Sequence, residues 1–268
     1  MLKQFFNPFL VIVVAAAVLG FVFFELSGGP QFTAQVFQDP NLAAYWSLNE
    51  GSGVAASDSS ANGNTAAISG NPAWLSGSSC IAGSCLNMDG VDDYIEAPNS
   101  SSLDITGNAI TLSAWIKYTD TGQAHEIITK PVNASSHVSP YFSYGLHILR
   151  QGATAAKPRF WVTIGGVGKS VSSSVNISPG TWYHLAGVYD GSSLKIYVNG
   201  APQGTASQSG NLTSYPNPLR LATNGGLVEK LKGSLDEVAI YSRALTSGEV
   251  AQLAVSGGGT PTPTATPT

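Results

Sequence analysis

The stretch from Trp182 to Gly200, WYHLAGVYDGSSLKIYVNG, contains two strand-like runs separated by a turn. The turn dipeptide Asp190-Gly191 favours the tight loops of β-hairpins, and Asn199-Gly200 repeats that signal after the second run. Side chains alternate between the two faces of a strand, so the second run places three apolar residues on one face: Leu194, Ile196 and Val198. This pattern predicts a half-buried antiparallel hairpin that leads into another turn.

Similar runs recur along the chain between turn signals, as expected for many short strands. The clearest are residues 42–48, 110–118, 141–149, 159–164 and 235–241. Only 10% of residues are charged, and Gly, Ser, Thr, Asn and Ala dominate, a composition that suits strands and tight turns better than exposed helices. The fold class predicted from these features is all-β.

The charge balance excludes one class of partner. Twelve basic residues are scattered among sixteen acidic ones, for a formal net charge of −4, and they form no basic stripe. Nucleic-acid binding depends on such a stripe, so the sequence predicts no nucleic-acid partner.

One short helix is expected after the last strand. Thr246 and Glu249 have the spacing of a capping box, in which the hydroxyl accepts from the amide at the third helical position and the glutamate accepts from the cap amide. Val250, Leu253 and Ala254 then form an apolar stripe that ends near Gly257.

The N-terminal segment is a separate unit. Residues 5–25 are almost wholly apolar, and twenty residues of helix at about 1.5 Å each reach roughly 30 Å, enough to span a bilayer. Lys3 precedes the run and the next basic residue is Lys117, so residues 1–4 are predicted to be a cytoplasmic tail and the remainder to lie outside. Cleavage as a secretory signal peptide stays open as the alternative.

Both alternatives deliver the rest of the chain to an oxidising space, where the two cysteines, Cys80 and Cys85, are expected to form a disulfide. Residues 26–39 are interpreted as a linker and residues 40–256 as one domain. Residues 257–268 alternate Thr with Pro and are interpreted as an extended spacer.

Several motifs in order give the domain a family resemblance. They are YWSLNEGSG (45–53), GSCLNMDGVDDYIEAP (83–98), ITLSAWIKY (110–118), GTWYHLAGVYDGSSLKIYVNGAPQG (180–204) and GSLDEVAIYSRALTSGEVAQL (233–253). Together they resemble the laminin-G-like jelly-roll domains of the concanavalin A-like lectin/glucanase superfamily over residues 40 to about 256. The resemblance implies a two-sheet antiparallel sandwich whose first and last strands are neighbours. It also implies a non-catalytic module for recognition or adhesion at the cell surface.

The segment DGVDDYIEAP (89–98) concentrates three aspartates. Asp89-Gly90 lies between apolar positions on both sides, a pattern that predicts a turn between two hairpin strands. Asp92 and Asp93 would point to opposite faces of a strand, so the triplet alone does not predict a metal site.

A loop that is rich in oxygen donors offers a better calcium candidate. Asp58 and Asn64 lie in SDSSANGN (57–64), and the implied pairing of first and last strands would bring Asp236 towards this loop. These three residues are predicted to hold a structural Ca²⁺. Asx-turns with a solvated edge aspartate are the alternative interpretation.

Glycan contacts are predicted on two neighbouring strands. The resemblance assigns Tyr144, His147, Arg159 and Trp161 to the sheet that carries binding faces in related lectins. The related pentraxins bind ligands through calcium held in two loops; the corresponding stretches here, 130–139 and 221–230, contain Glu229 as their only carboxylate. Any glycan is therefore expected to be held by hydrogen bonds and aromatic stacking.

Catalysis is not expected. The retaining glucanases of the superfamily use paired carboxylates in a Glu-x-Asp-x-x-Glu pattern, which the chain lacks. The prediction is a membrane-tethered extracellular module that binds carbohydrate or a surface or matrix protein. A structural or protein–protein interaction module without sugar binding is the alternative, and a glycoside hydrolase of the same fold is a more remote one.

Overall fold

Sixteen β-strands form two antiparallel sheets within residues 39–151 and 155–256, the part of the chain that this computed structural model describes. Sheet I contains eight strands: β1 Leu42–Trp46, β4 Ala73–Ser76, β5 Ser84–Asp89, β7 Ile110–Tyr118, β12 Tyr183–Tyr189, β13 Ser193–Val198, β14 Ala201–Ser207 and β16 Lys232–Tyr241. Their order is β14-β13-β12-β7-β16-β5-β4, and β1 also pairs with β16. The predicted neighbourhood of first and last strands is therefore confirmed.

Sheet II contains the other eight strands: β2 Ala55–Ala56, β3 Ala66–Ser69, β6 Tyr94–Ala97, β8 His125–Pro131, β9 Phe142–Gln151, β10 Ala155–Ile164, β11 Val167–Ser172 and β15 Leu219–Leu221. Their order is β11-β10-β9-β8-β15-β6-β3-β2. The all-β two-sheet sandwich predicted from the sequence is confirmed.

The core joins residues from both sheets. Leu86 and Leu112 of sheet I belong to the same buried cluster as Leu146 and Phe160 of sheet II. The sheets approach closely at Gly187 of β12, where an added Cβ would lie 2.3 Å from the ring of Phe160. A side chain at this position would collide with the ring, so glycine is required by packing.

The predicted hairpin is present. Strands β12 and β13 pair through the Asp190-Gly191 turn, and β13 continues through Asn199-Gly200 into β14. Leu194 and Ile196 are fully buried, as the alternating pattern predicts.

One α-helix, α1 Ser247–Ser256, follows β16. The capping box forms: the Glu249 amide donates to Thr246 Oγ1 at 3.3 Å, and the Thr246 amide donates to Glu249 Oε2 at 2.7 Å. Val250 and Leu253 pack against sheet I residues including Ala186 and Tyr241. The helix therefore covers the outer face of sheet I.

The aspartate-rich turn connects strands of different sheets. Asp89 ends β5 in sheet I, whereas Tyr94 begins β6 in sheet II, and the two strands do not pair with each other. Asp93 Oδ2 accepts from the Asp89 amide at 2.8 Å, and Asp89 Oδ1 accepts from the Val91 amide at 2.7 Å. The predicted turn is correct, but the predicted hairpin is wrong, because each strand finds its partners elsewhere in the chain.

The disulfide between Cys80 and Cys85 is present. Four predicted segments lie outside the described residues: the cytoplasmic tail at 1–4, the anchor at 5–25, the linker at 26–39 and the spacer at 257–268. Only Asp39, the last residue of the linker, is described. Within the described ranges, no helix combines the length and the apolar character needed to cross a membrane.

Candidate functional site

The outer face of sheet II carries a cluster of aromatic and ionisable side chains, which we call the site face. Glu126 of β8, His147 of β9 and Arg159 of β10 lie directly opposite one another across three strands. Trp161 lies two residues further along β10, on the same side, opposite Gly145. Period-two alternation places these side chains away from the core.

Trp161 and Arg159 form the open part of the site face. The indole lies against the β11 backbone, since a Cβ at Gly168 would be 2.2 Å from its ring. The Arg159 guanidinium carbon is 4.9 Å from the centroid of the Trp161 ring, and Nη2 donates to Ser170 Oγ at 2.6 Å. Both side chains are half-buried, so each keeps an edge towards solvent.

Tyr141 extends this aromatic surface from the loop before β9. Its ring contacts Trp161 edge-on, with centroids 5.8 Å apart, and stacks on His137 at 4.6 Å. The residue is 36% exposed and has a φ of 72°. A positive φ is uncommon for a tyrosine and is tolerated only where the surroundings fix it. The loop therefore holds an exposed ring beside Trp161.

Two loops meet beside these rings. His137, in the loop between β8 and β9, has Nε2 3.7 Å from Oε2 of Glu229, in the loop between β15 and β16. One ligand atom from each of Glu126, His137 and Glu229 lies within 4.8 Å of the others. Asn224 donates to Glu229 Oε2 at 3.0 Å and thereby orients that carboxylate.

Most of the unsatisfied buried polar atoms lie on this face. Among the described residues, seven buried side-chain atoms have no hydrogen-bond partner, and five of them belong to the site face: Glu126 Oε2, His137 Nδ1, His147 Nδ1, Arg159 Nε and Trp161 Nε1. Native proteins leave few such groups unpaired, and each one calls for an explanation. Two of them, Glu126 Oε2 and His147 Nδ1, lie 3.5 Å from each other.

Burial also shifts the pKa values of Glu126 and His147. It raises the pKa of Glu126 well above its ordinary value, and the neighbouring Glu229 carboxylate raises it further. Burial lowers the pKa of His147 to about 3, with the Arg159 and His137 charges acting in the same direction. Burial therefore favours the uncharged form of both the Glu126 carboxyl group and the His147 imidazole, whose Nδ1 is 3.5 Å from Glu126 Oε2.

The predicted glycan contacts separate into two groups. His147, Arg159 and Trp161 come together on the site face, although His147 is buried beneath it. Tyr144 was predicted wrongly: it is fully buried in the core, and its hydroxyl donates to the Leu103 carbonyl at 2.8 Å. Tyr144 pairs with Val162, on the opposite side of the sheet from Trp161, because successive residues alternate.

The predicted calcium ligands make contacts that fit a hydrogen-bonded role. Asp58 accepts four hydrogen bonds at 2.7–2.9 Å, from the Tyr45, Ser60 and Asn64 amides and from Ser60 Oγ. A carboxylate offers about four lone-pair sites, and these four donors occupy them.

Asp236 shares none of these donors. It is fully buried and accepts from the Ile81 amide at 2.9 Å and the Ala82 amide at 3.3 Å, and burial raises its pKa to about 7. The calcium assignment to Asp58, Asn64 and Asp236 stays a prediction.

Sequence reasoning missed Glu126, His137, Tyr141 and Glu229 as members of one site. The loops that contain His137 and Glu229 were compared only with the calcium loops of the pentraxins, for the carboxylates they contain. A search that included histidine and the neighbouring strand would have found both loops and Glu126. Tyr141 was placed at the start of a strand, whereas it belongs to the preceding loop.

The comparisons with known proteins agree with this architecture. A laminin G family model, described as Concanavalin A-like lectin/glucanases superfamily, matches residues 89–251. Pappalysin-1 of Homo sapiens is 23% identical over 160 residues, which are 56% of this chain and 10% of the relative; Pappalysin-1 of Mus musculus is 24% identical over the same span. The chain thus spans about a tenth of the length of these curated relatives.

Solved structures with the same fold include several binding domains. Domain 4 of AbnA, a GH43 extracellular arabinanase from Geobacillus stearothermophilus, solved in complex with arabinotriose, has a TM-score of 0.61 and 21% identity, and the match covers 80% of this chain and 98% of that chain. The binding domain of Paraclostridial Mosquitocidal Protein 1 has a TM-score of 0.60 and 16% identity, and the match covers 84% of this chain and 52% of that chain. The botulinum neurotoxin serotype G binding domain has a TM-score of 0.60 and 14% identity, and the match covers 80% of this chain and 50% of that chain.

The sequence identities to these solved structures are low, so the structures show the shared fold alone. The family model, by contrast, covers more than half of the sequence and spans both sheets and the start of α1. The chain therefore belongs to the laminin G family of the concanavalin A-like lectin/glucanases superfamily.

Proposed function

We propose that the chain is a non-catalytic recognition module that binds an oligosaccharide on the site face. The observation that carries the proposal is the pair of accessible rings, Tyr141 and Trp161, beside the half-buried Arg159 guanidinium. A sugar ring offers an apolar C–H face for stacking and hydroxyl groups around its edge. The site face offers matching aromatic surface and hydrogen-bonding groups.

The comparison with the arabinanase domain supports the choice of ligand class. That domain was solved in complex with arabinotriose, and it shares the sandwich over nearly its whole length. Fold alone does not imply function, so the proposal rests on the residues of the site face.

The nearby carboxylates require a separate argument. Glu126 and Glu229 have oxygens within 4.8 Å, close to the separation of roughly 5 Å between the carboxyl groups of retaining glycosidases. In those enzymes both groups must reach the scissile bond. The Glu126 side chain is only 4% exposed and is therefore inaccessible to a sugar ring, which supports binding without hydrolysis.

The proposal is tested by the binding of the full-length chain to an oligosaccharide panel that includes arabinotriose. The protein is purified in a detergent without a sugar head group, because a glycosidic detergent would compete. Trp161→Ala and Tyr141→Ala are each expected to weaken binding at least tenfold, or about 1.4 kcal/mol, through loss of stacking. Trp182→Ala is the matched control, because Trp182 is also half-buried but precedes β12 of sheet I.

Three outcomes would contradict the proposal: no binding across the panel, equal weakening by the Trp182 control, or shortening of the bound oligosaccharide. The last result, detected by mass spectrometry of the glycan, would indicate hydrolysis and would reassign Glu126 and Glu229.

A protein partner is the second candidate. Val138, Leu227 and Val228 are exposed apolar residues in the same two loops as His137 and Glu229. If these side chains recognise a protein, Leu227→Ser should weaken capture of that partner while Trp161→Ala should not. The oligosaccharide proposal predicts the reverse.

We further propose that residues 5–25 anchor the chain in a membrane with the domain outside. In a bacterial host the full-length chain is expected to stay with membranes after an alkaline wash, whereas a form lacking residues 1–38 should be released. Protease added outside the cytoplasmic membrane should digest the domain. Recovery of a mature chain that begins between residues 26 and 39 would instead show a cleaved signal peptide.

A further inference from the structure

Glu126, His137 and Glu229 come together from three parts of the chain. Glu126 lies on β8, His137 in the following loop, and Glu229 in the loop before β16. Each offers one ligand atom within 4.8 Å of the others. The three residues could therefore share one bound ion after small side-chain movements.

A second observation points to a ligand at this position. Glu126 is 3% exposed, and its Oε2 makes no hydrogen bond, lying 3.5 Å from Nδ1 of His147; Nδ1 of His137 is also buried without a hydrogen-bond partner. A buried, unpaired carboxylate oxygen is costly unless something satisfies it. His137 and Glu229 are partly exposed, at 27% and 39% of their side chains, and leave access from solvent.

The surrounding contacts fix both loops. Arg220 donates from Nη1 to the Ala134 carbonyl at 2.9 Å, and to the Asn224 and Gly225 carbonyls at 3.0 and 2.8 Å. Asn224 in turn donates to Glu229 Oε2. Polar residues that orient a ligand group in this way are typical of metal sites.

The donor set selects the class of ion. Calcium and magnesium prefer oxygen ligands only, and calcium takes six to eight of them. One imidazole nitrogen and two carboxylate oxygens suit zinc, which binds such groups at about 2.0–2.2 Å with tetrahedral geometry. The ion would displace any proton on Glu126, because metal ligands must be deprotonated, and two carboxylates would then neutralise its divalent charge. Three protein ligands leave a fourth position for water or for an oxygen atom of a bound molecule.

We propose that Glu126, His137 and Glu229 form a binding site for a divalent transition-metal ion, with zinc as the fitting ion. The proposal does not depend on glycan binding. It differs from the aspartate-rich turn, where Asp89, Asp92 and Asp93 also lie within 4.8 Å of one another. In that turn the carboxylates accept backbone amides and supply no nitrogen ligand.

The test uses the full-length chain, first stripped with a chelator, with no glycan present. Titration calorimetry with Zn²⁺ is expected to give one ion per chain, and bound Co²⁺ is expected to show the visible absorption of a mixed nitrogen and oxygen site. His137→Gln and Glu229→Gln should each weaken Zn²⁺ binding at least tenfold. Both residues lie on partly exposed loops, so melting curves without metal should match those of the unaltered chain.

Asp92→Asn is the matched control, since it removes an exposed carboxylate from the other acidic cluster. It should leave Zn²⁺ affinity unchanged. Absence of Zn²⁺ binding, loss of binding in the Asp92 variant alone, or tighter binding of Ca²⁺ than of Zn²⁺ would each overturn the proposal. A zinc-binding chain that ignores every oligosaccharide would refute the proposed function and leave this inference intact.

Discussion

Replacing Lys130 by alanine is expected to lower the free energy of unfolding by about 3 kcal/mol, the low end of the range for removing one partner of a buried ion pair, because Asp104 is 26% exposed. The Lys130 side chain has no exposed surface, and its Nζ lies 3.0 Å from Asp104 Oδ1. The same ammonium group donates to the Asn217 carbonyl at 2.7 Å and to the Asn99 side chain. One cation therefore ties β8 to two loops, and alanine would leave these acceptors unpaired and a cavity behind.

Urea unfolding measured by circular dichroism gives the free-energy change. Lys232→Ala is the matched control, because Lys232 is exposed and should change stability by less than about 0.5 kcal/mol. A double variant, Lys130→Met with Asp104→Asn, retains the packing volume and removes both charges. It should recover much of the loss. Equal stability of Lys130→Ala and the unaltered chain would contradict the assigned role.

Replacing Gly225 by alanine is expected to cost about 3 kcal/mol, at the upper end of the usual cost of overpacking, and to separate the two loops of the site face. An added Cβ would lie 2.1 Å from the Asn133 carbonyl oxygen and 2.8 Å from that of Ser136. These atoms belong to backbone and cannot rotate away. Relief of the clash requires one loop to move, which would carry His137 away from Glu229.

Gly226→Ala offers a matched control at the next position. There the nearest atom to an added Cβ is the His137 amide nitrogen at 3.5 Å, an ordinary contact. Thermal melting should therefore separate the two variants, and Zn²⁺ titration should show weaker binding for Gly225→Ala alone. If the two variants melt at the same temperature, the loops do not approach as closely as described.

Local signals in the sequence predicted local structure well. The Asp190-Gly191 hairpin and the Thr246–Glu249 capping box both form as expected, because each depends on residues within a few positions of one another. Strand alternation also holds on β9, where Tyr144 faces the core and His147 the outer side. Alternation alone does not show which face of a strand is buried, because either face of an isolated strand could face the core.

Short strands escaped the sequence pattern for a related reason. β3 and β15 have four and three residues, and their apolar periods are too brief to distinguish from loops. β8 is buried at every position, so it shows no alternation at all. As a result, nothing in the sequence assigned Glu126 to a strand.

The sequence by itself determined the fold class, the terminal helix, the disulfide and the family, because these follow from neighbouring residues or from motifs in order. Tertiary structure alone decided the site. Glu126 and His137 are eleven positions apart, and Glu229 is ninety-two positions beyond His137. They meet because β8 pairs with both β9 and β15, which brings the loops that precede β9 and follow β15 to one end of sheet II. Such long-range pairing is set by the packing of two whole sheets, and no local pattern encodes it.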